Sequence, residues 1–291
     1  METVTLGGMN DPVFDVVVLG AGAAGVAAAI AAARAGCRTV LVEAGPLPGG
    51  ELLSGMPVDG AVNARGEWIL GGAGRELFAE CERLGGYIGP VNDHRLIWYV
   101  AFDPEIMKLA VARLLARYGV ELRLQTFVCG VAMEPEGTVR ALKTAHKGGC
   151  HEIRGRLFLD CSGDGALCAG AGAPVLTAET AALQPVSLMF RLGGVDAGAL
   201  LDFQCAHPEH FALGESEAIR ADRTDAELAA ALREAGHPAA FLKGDGPLMR
   251  EAMARGELFP TALIMIQPTA PARREVCLNA TRVARVNALD P

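Results

Sequence analysis

The chain has 291 residues, of which 51% are apolar and 21% charged, a composition typical of a globular protein long enough for two lobes. Its formal net charge of −8 argues against nucleic acid as a partner, because phosphates require a basic surface. The sequence contains no polybasic segment of the kind that binds membrane surfaces. The eight cysteines include no CxxC pair, which argues against a zinc or iron–sulfur site. We expect most of them to be buried, in a reducing compartment.

Two features near the N-terminus bear on location. Residues 1–11 lack the basic start and cleavage pattern of a secretory leader, so a cytoplasmic protein is expected. The stretch Val16–Ala33 carries no charge, which meets the length criterion for a membrane helix. It consists mostly of alanine and glycine, however, with β-branched residues at one end only. That pattern favours a strand, a turn and a helix in succession.

The first elements form a βαβ unit. The apolar run Phe14–Leu19 predicts a buried parallel strand. Strong helix formers fill Ala23–Ala35, and Gly36 predicts the end of that helix. A second short apolar strand follows at Thr39–Val42. This is one complete strand–helix–strand unit.

The later elements are less regular. Residues 44–70 are predicted as loop, followed by a helix over Glu76–Leu84 and one that Asp103 caps. Alternation then predicts four strands, of which the first three form a β-meander: Thr126–Met133, Val139–Ala145, Cys150–Arg154 and Leu157–Leu159. After residue 174 a capping box at Thr224 predicts one helix, and strands are expected at Val186–Leu192, Leu263–Gln267 and Glu275–Asn279.

A glycine motif joins the first strand to the first helix. Gly20, Gly22 and Gly25, with Ala23 and Ala24 between the last two, form a G-x-G-x-x-G pattern in the strand–turn–helix context that dinucleotide binding requires. The first glycine permits the tight turn, the second lets a pyrophosphate approach the backbone, and the third lets the helix pack closely. The phosphates would then face the helix N-terminus.

The residue at the end of the second strand indicates which dinucleotide the site can bind. Glu43 predicts a carboxylate that accepts hydrogen bonds from a ribose diol and repels the 2′-phosphate of NADP. The glycine motif is common to NAD and FAD sites. The glycine-rich loop Gly45–Gly55 that follows, and the later β-meander, favour FAD over an NAD-linked dehydrogenase.

Several stretches resemble one family. The chain resembles FAD-dependent oxidoreductases with a glutathione-reductase-like flavin domain, and among them flavin subunits related to that of heterodisulfide reductase. The matching stretches are FDVVVLGAGAAGVAAAIAAARAG, VLVEAGPLPGG, FDPEIMKLAVARLLARYGVEL, LFLDCSGDGALCAGAGAP, QPVSLMFRLGGV and NATRV. They cover most of the chain in the family's order. The expected fold is α/β, a Rossmann-like FAD-binding domain with a three-stranded β-meander and a mixed α+β substrate-side region.

The resemblance assigns cofactor contacts residue by residue. It implies that the three motif glycines, with Ala23 and Ala24, hold the pyrophosphate, and that Glu43 with Ala44 lies at the adenosine ribose. It further places near the cofactor Gly49, Gly50, Val128, Ser162, Gly163 and Asp164. Val128 would meet adenine through its backbone. Asp164 is equally well suited to cap a helix over Gly165–Ala171.

The resemblance also implies a division of the chain. The FAD-binding domain would comprise residues 12–60 and 103–173, with a substrate-side insertion at 61–102 and a substrate or cap region at 174–291. Relatives continue past the NATRV stretch with a further glycine-containing segment, whereas this chain stops at Pro291. Three explanations remain open: a fragment, a partner subunit that supplies the segment, or the loss of full flavin binding. Weak FAD binding by the purified chain is therefore expected.

The sequence identifies no catalytic acid or base. Arg65, His94 and Arg95 lie in the predicted insertion, where a solvated surface position is favoured over substrate contact. Core packing is favoured for Trp98 and Tyr99. The favoured function is an FAD-dependent oxidoreductase that acts on a small molecule by hydride transfer. The alternative is a flavin-binding subunit that depends on a partner and passes electrons within a complex.

Overall fold

The computed structural model describes residues 13–286. The predictions about a leader at residues 1–11 and about the end at Pro291 lie outside the described residues. The described chain contains the strands β1 (Phe14–Leu19), β2 (Thr39–Val42), β3 (Val58–Asp59), β4 (Tyr87–Asn92), β5 (Trp98–Phe102), β6 (Glu121–Arg123), β7 (Phe127–Met133), β8 (Val139–His146), β9 (Gly149–Asp160), β10 (Met189–Leu192), β11 (Ala240–Lys243), β12 (Leu263–Ala270) and β13 (Glu275–Asn279).

The α-helices of the same residues are α1 (Ala23–Arg34), α2 (Gly72–Arg83), α3 (Pro104–Arg117), α4 (Ala166–Gly170), α5 (Ala197–Ala206), α6 (Glu217–Arg220), α7 (Asp225–Ala235) and α8 (Pro247–Ala254). The chain divides into two units. The first comprises Met1–Gly50, Gly72–Glu80 and Lys108–Leu176, and the second Glu51–Gly71, Cys81–Met107 and Thr177–Pro291. The four-segment domain division stays a prediction.

The first unit is built on one six-stranded sheet in the order β6-β2-β1-β9-β8-β7. The pairs β6–β2, β2–β1 and β1–β9 are parallel, whereas β9–β8 and β8–β7 are antiparallel. The alanine-rich helix α1 buries Gly25, Val26, Ala29 and Ile30. The sequence prediction of an α/β Rossmann-like fold with a β-meander is confirmed.

Strand β9 differs from its prediction. Two strands were expected, at Cys150–Arg154 and Leu157–Leu159, but Gly149–Asp160 is one continuous strand. Its first half pairs with β8 and its second half with β1. A Cβ at Gly155 would lie 2.5 Å from Cγ2 of Val17. The glycine therefore marks a close approach between strands and not a break.

The second unit contains two antiparallel sheets, one of four strands in the order β10-β13-β12-β11 and one of three in the order β3-β5-β4. Its main core cluster joins α5, α7 and β11 through buried Leu201, Leu228, Leu232 and Ala240. The small sheet buries Val91, Tyr99 and Ala101 on one face. The sequence predicted strands β10, β12 and β13 of the larger sheet. It missed β11, the three strands of the small sheet, and α5, α6 and α8.

Two sequence expectations concern the chain as a whole. Val16–Ala33 divides into β1, the glycine turn and most of α1, and none of the helices among residues 13–286 has the length and apolarity to cross a bilayer. The expectation that most cysteines are buried is wrong. Of the eight, only Cys81 and Cys277 are buried. Burial raises the pKa of Cys81 to about 12 and that of Cys277 to about 11.

Candidate functional site

The glycine turn of the first unit lies between the ends of two strands. Gly20 adopts a left-handed φ of 91°, and its N–H donates to the carbonyl of Val42 at 2.8 Å. A Cβ on Gly20 would lie 2.3 Å from the carbonyl oxygen of Cys161, and one on Gly25 would lie 1.8 Å from the carbonyl oxygen of Gly20. Backbone atoms therefore exclude side chains at both positions.

Gly22 occupies a different environment, at the N-cap of α1. A Cβ added there would have no atom within 4 Å. No side chain caps the helix, and its first turn contains no acidic residue. The first-turn residues Ala23 and Ala24 are exposed. The free N–H groups and the positive end of the helix dipole therefore face a space that an anion can enter.

The loop after β2 folds back onto this turn. Gly49 donates its N–H to the carbonyl of Ala21 at 2.7 Å. Gly50 has a φ of 52°, and a Cβ on it would lie 2.8 Å from Cα of Gly22. Ala44, at the start of the loop, is exposed. The predicted residues Gly49 and Gly50 are thus brought against the glycine turn.

Glu43 is held at the end of β2 by backbone groups. Its Oε2 accepts the N–H of Ala21 at 2.8 Å, and its Oε1 accepts the N–H of Gly45 at 2.7 Å. Its own backbone bonds to Arg123 and Thr126. An ionised carboxylate has about four acceptor positions, so both oxygens retain capacity for further donors. The sequence did not single out Ala21, which contacts both Glu43 and Gly49.

A second polar cluster follows the end of β9. Asp160 Oδ1 accepts from the hydroxyl and the N–H of Ser162, at 2.6 and 3.1 Å, and its Oδ2 accepts the N–H of Cys168 at 2.9 Å. The N–H of Ala166 donates to the Ser162 hydroxyl at 3.0 Å. Burial of Asp160 alone would raise its pKa, but these hydrogen bonds outweigh it and hold the pKa below the ordinary value.

This cluster corrects one expectation. Asp164 does not cap α4, because the helix begins after Gly165 without a side-chain cap at its N-cap position. Ser162 and Asp160 hold the N–H groups instead. Asp164 and Gly163 are exposed beside them. The unpredicted Asp160 was visible in the sequence as the polar residue that ends the apolar run Leu157–Leu159.

Val128 lies on β7 of the same sheet. Its side chain packs against the core cluster that includes Leu142 and Ile153. It follows Thr126, whose N–H donates to the carbonyl of Glu43 at 3.0 Å. The described contacts therefore connect the strand of Val128 to Glu43 through the backbone.

The charged residues of 61–102 have different environments. Arg65 forms an exposed ion pair with Glu67 at 2.8 Å, as expected for a solvated position. Arg95 is instead half-buried and pairs with Glu215 at 2.6 Å, with its guanidinium over the ring of Phe241. His94 is also half-buried, and burial followed by the charge of Arg223 lowers its pKa. The surface expectation is wrong for these two because the second unit encloses them.

One cluster of the second unit has metal-ligand side chains. Ligand atoms of His207, Glu209 and His210 lie within 4.8 Å of one another. The N–H of Leu248 donates to Nδ1 of His210 at 3.4 Å. In the neutral ring the proton then resides on Nε2, which faces Glu209 at 3.9 Å. Nδ1 of His207 lies 3.4 Å from the same Glu209 oxygen, so both imidazoles face one carboxylate.

Comparison with known proteins identifies the family to which a chain with this fold and glycine turn belongs. The chain belongs to the FAD dependent oxidoreductase family, whose profile matches residues 15–282. FAD is therefore its cofactor. The sequence resemblance to this family is confirmed.

Two known proteins are similar to this chain, one over a short stretch of sequence and one in fold. It is 60% identical over 40 residues to the alpha subunit of sarcosine oxidase from Rhizobium meliloti (strain 1021), a match that covers 14% of this chain and 4% of that protein. Its fold is similar to a geranylgeranyl bacteriochlorophyll reductase-like protein from Thermoplasma acidophilum, with a TM-score of 0.51 and 15% identity. That match covers 94% of this chain and 57% of the other. The chain thus spans little more than half of that structure.

Proposed function

We propose that the first unit binds the ADP half of FAD and that the chain exchanges a hydride between the flavin and a small organic molecule. The observation that carries the binding proposal is the N-terminus of α1. Gly22 leaves the helix end without a side-chain cap and with open space before it. A pyrophosphate in that space would receive the free N–H groups and the helix dipole.

The remaining contacts follow from the same placement. We assign the pyrophosphate to Gly20, Gly22, Ala23, Ala24 and Gly25. Glu43 and Ala44 are assigned to the adenosine ribose, because both carboxylate oxygens of Glu43 are oriented by backbone donors and keep acceptor capacity for the diol. The adenine is assigned to the Val128 backbone. The more distal parts of FAD are assigned to Gly49, Gly50, Ser162, Gly163 and Asp164.

In this proposal residues 12–60 and 103–173 form the FAD-binding domain, and residues 61–102 and 174–291 form the substrate side. Bound flavin supplies the two-electron chemistry, and the protein supplies position and electrostatics. Glu43 would accept hydrogen bonds from the ribose hydroxyls, and the uncapped helix end would offset the phosphate charge.

The test is a Gly22→Val substitution with Gly193→Ala as its control. Both glycines have open space in the Cβ direction and neither has a left-handed φ, so a Cβ clashes at neither position. Because valine is a poor N-cap residue, Gly22→Val should lose about 1 kcal/mol in the free energy of unfolding, whereas Gly193→Ala should unfold at the temperature of the parent. FAD affinity, measured by flavin absorbance after desalting and by titration, should fall at least about 100-fold for Gly22→Val only. Equal affinity in the two variants would contradict the proposed phosphate position.

Hydride exchange is tested separately. Anaerobic addition of a panel of small alcohols, amines and hydroxy acids to FAD-loaded protein should bleach the visible flavin absorbance with at least one of them. Reoxidation by an artificial acceptor should restore it. A flavoprotein that no two-electron donor reduces would favour the second candidate function.

That second candidate is a flavin subunit of a multi-subunit enzyme. The match to a protein named as an alpha subunit favours it. Co-purification of a stable partner, with flavin reduction only in the complex, would support this candidate over the first.

A further inference from the structure

The second unit contains a cavity of about 330 Å³, within the size range of small-molecule sites. Three separate stretches of the unit form it: the loop after β3, the turn between β4 and β5, and the region of α6. Six of its lining residues carry the inference: Asp59, Asn92, Trp98, Ser216, Ile219 and Arg223. We call it the Asp59–Arg223 cavity. It is distinct from the glycine turn, which belongs to the first unit.

The turn between β4 and β5 is fixed by a buried carboxylate. Asp93 is 2% exposed, and its Oδ1 accepts the N–H groups of Arg95, Leu96 and Ile97 at 2.9, 2.7 and 3.0 Å. The carbonyl of Arg95 in turn accepts the N–H of Glu215 at 2.7 Å. These bonds connect the turn to the segment before α6, so two walls of the cavity are held together.

Backbone conformation also marks this region. His94, Ala221 and Asp222 have left-handed φ values of 50°, 34° and 64°. Such a conformation is unfavourable for a non-glycine residue. Two of the three directly precede Arg223. The fold therefore maintains a strained backbone next to this cavity-lining residue.

The walls carry one charge of each sign. Among the described residues, Asp59 has no hydrogen-bond or ion-pair partner. Arg223 donates to the carbonyl of Ile219 and has no carboxylate within ion-pair distance, although its charge also acts on the exposed Glu227. Asp59 opens to solvent on one side. The atoms packed around its other side raise its pKa, and the charge of Asp93 adds to the shift. Arg223 is the cationic side chain among the residues that line the cavity.

The remaining wall is apolar and rigid. A Cβ at Gly66 would lie 2.9 Å from the Trp98 ring, so the indole packs directly against that backbone. Ile219 is 7% exposed and belongs to the main core cluster of the unit. The polar residues Asn92 and Ser216 also line the cavity. They offer neutral hydrogen bonds beside the two charges.

We propose that the Asp59–Arg223 cavity binds a small zwitterion of the amino-acid class, with its ammonium group at Asp59, its carboxylate at Arg223 and its apolar part against Trp98 and Ile219. A dianion would meet Asp59 and a dication would meet Arg223. An uncharged molecule would leave both charges without partners. Only a ligand with both charges satisfies the two walls at once.

The test is calorimetric titration of FAD-loaded protein with leucine, phenylalanine and 5-aminopentanoate, which offer two charge spacings. The one-charge analogues of leucine, 3-methylbutylamine and 4-methylpentanoate, serve as comparisons. At least one amino acid should bind, at least tenfold more tightly than its amine or acid analogue. No binding by any of the three, or equal binding of an analogue, would overturn the proposal.

Substitutions then assign the two charges. Asp59→Asn should lower the affinity for the amino acid at least tenfold and remove the preference for the amino acid over its acid analogue. Arg223→Gln should also lower the affinity for the amino acid at least tenfold, and should remove the preference over the amine analogue. Arg156→Gln, an exposed change in the first unit, is the control. Unchanged affinity in both cavity variants would overturn the proposal. Flavin absorbance of the same samples reports FAD binding independently, so failure of one proposal is distinguishable from failure of the other.

Discussion

The N-termini of α1 and α7 differ in whether a side chain accepts the backbone N–H groups of the first helical turn. At α7 the chain supplies its own oxygens: the Thr224 hydroxyl accepts the N–H of Glu227 at 3.3 Å, and the Glu227 carboxylate accepts the N–H of Thr224 at 2.7 Å. At α1 the N-cap is Gly22, with no side-chain cap and no acid in the first turn. The chain itself satisfies donors at the N-terminus of α7, whereas at the N-terminus of α1 we propose that a cofactor phosphate does so.

Two aspartates represent an intermediate case. Asp93 and Asp160 each bring a carboxylate to a group of backbone N–H donors outside a regular helix cap. Burial dominates at Asp93 and raises its pKa, whereas hydrogen bonds dominate at Asp160 and lower its pKa. We therefore expect substitutions at the N-termini of α1 and α7, at Asp93 and at Asp160 to change stability by different amounts.

The largest effect is expected at the uncapped helix. In Gly25→Ala the new Cβ would lie 1.8 Å from the carbonyl oxygen of Gly20, so the turn or the helix must move. We expect a loss of about 3 kcal/mol or more in the free energy of unfolding, and no retained FAD. Thermal unfolding and flavin absorbance measure the two effects. A stable Gly25→Ala protein that keeps FAD would contradict the conclusion that backbone atoms exclude a side chain at this position. Gly193→Ala is the control for a glycine-to-alanine change where the Cβ has open space.

These backbone constraints explain why the sequence predicted the first region well. The strand Phe14–Leu19, the glycine turn and the helix up to Arg34 form a pattern that is recognisable within about thirty residues of sequence, although β1 also pairs with the distant strand β9. The cap of α7 and its end at Gly236 were predicted for the same reason. The motif residues and Glu43 were identifiable because each residue type meets a local geometric requirement.

The second unit was predicted poorly because its contacts are distant in sequence. Pro90 and the irregular pairing at Gly89 hide β4, although the run Trp98–Phe102 is typical of a strand. The cavity combines Asp59 with Arg223, and no pattern within either segment indicates the other. At Gly155 the sequence predicted a break where β9 is continuous, because a glycine that permits close strand packing resembles the end of a strand.

The second effect in size concerns Asp160. Asp160→Asn replaces one acceptor oxygen with a donor that faces either Ser162 or Cys168. We expect a loss of about 1.5 kcal/mol at neutral pH. Because the folded-state pKa of Asp160 is lowered, this stability is present above the ordinary value of 3.8 and is lost as the pH falls through the folded-state pKa. Unfolding curves of parent and variant should therefore converge in acid. A difference that grows in acid would contradict the assignment.

The capped helix should respond less. Thr224→Ala removes the oxygen that accepts the N–H of Glu227, at an expected cost of about 1 kcal/mol. The corresponding fall in Tm is about 2–4 °C for a protein of this size. Thr224→Ser retains the hydroxyl and should be close to the parent. FAD affinity should not change in either variant, and a change in both would mean that this helix end is not purely structural.

The smallest effect, and the one of opposite sign, is expected at Asp93. Burial raises its pKa more than its three backbone hydrogen bonds and Arg95 lower it. A raised pKa means that the protonated form favours the folded state, so this stability is present below 3.8 and is lost as the pH rises through the folded-state pKa. Asp93→Asn keeps an oxygen for the three N–H groups and cannot ionise. It should therefore unfold about 1–2 °C above the parent at neutral pH, equivalent to about 0.5 kcal/mol, and match it in acid.

Asp245→Asn, at an exposed position, is the matched control for Asp93→Asn and should leave Tm unchanged. A lower Tm of Asp93→Asn at neutral pH would mean that the charge strengthens the three hydrogen bonds by more than burial costs. Asp93 would then belong with Asp160, as an anion that its N–H donors stabilise. The expected rise instead separates the two, because a group of backbone donors can fix a turn through an oxygen alone. At the N-terminus of α1, by contrast, the proposed ligand brings both the oxygen and the charge.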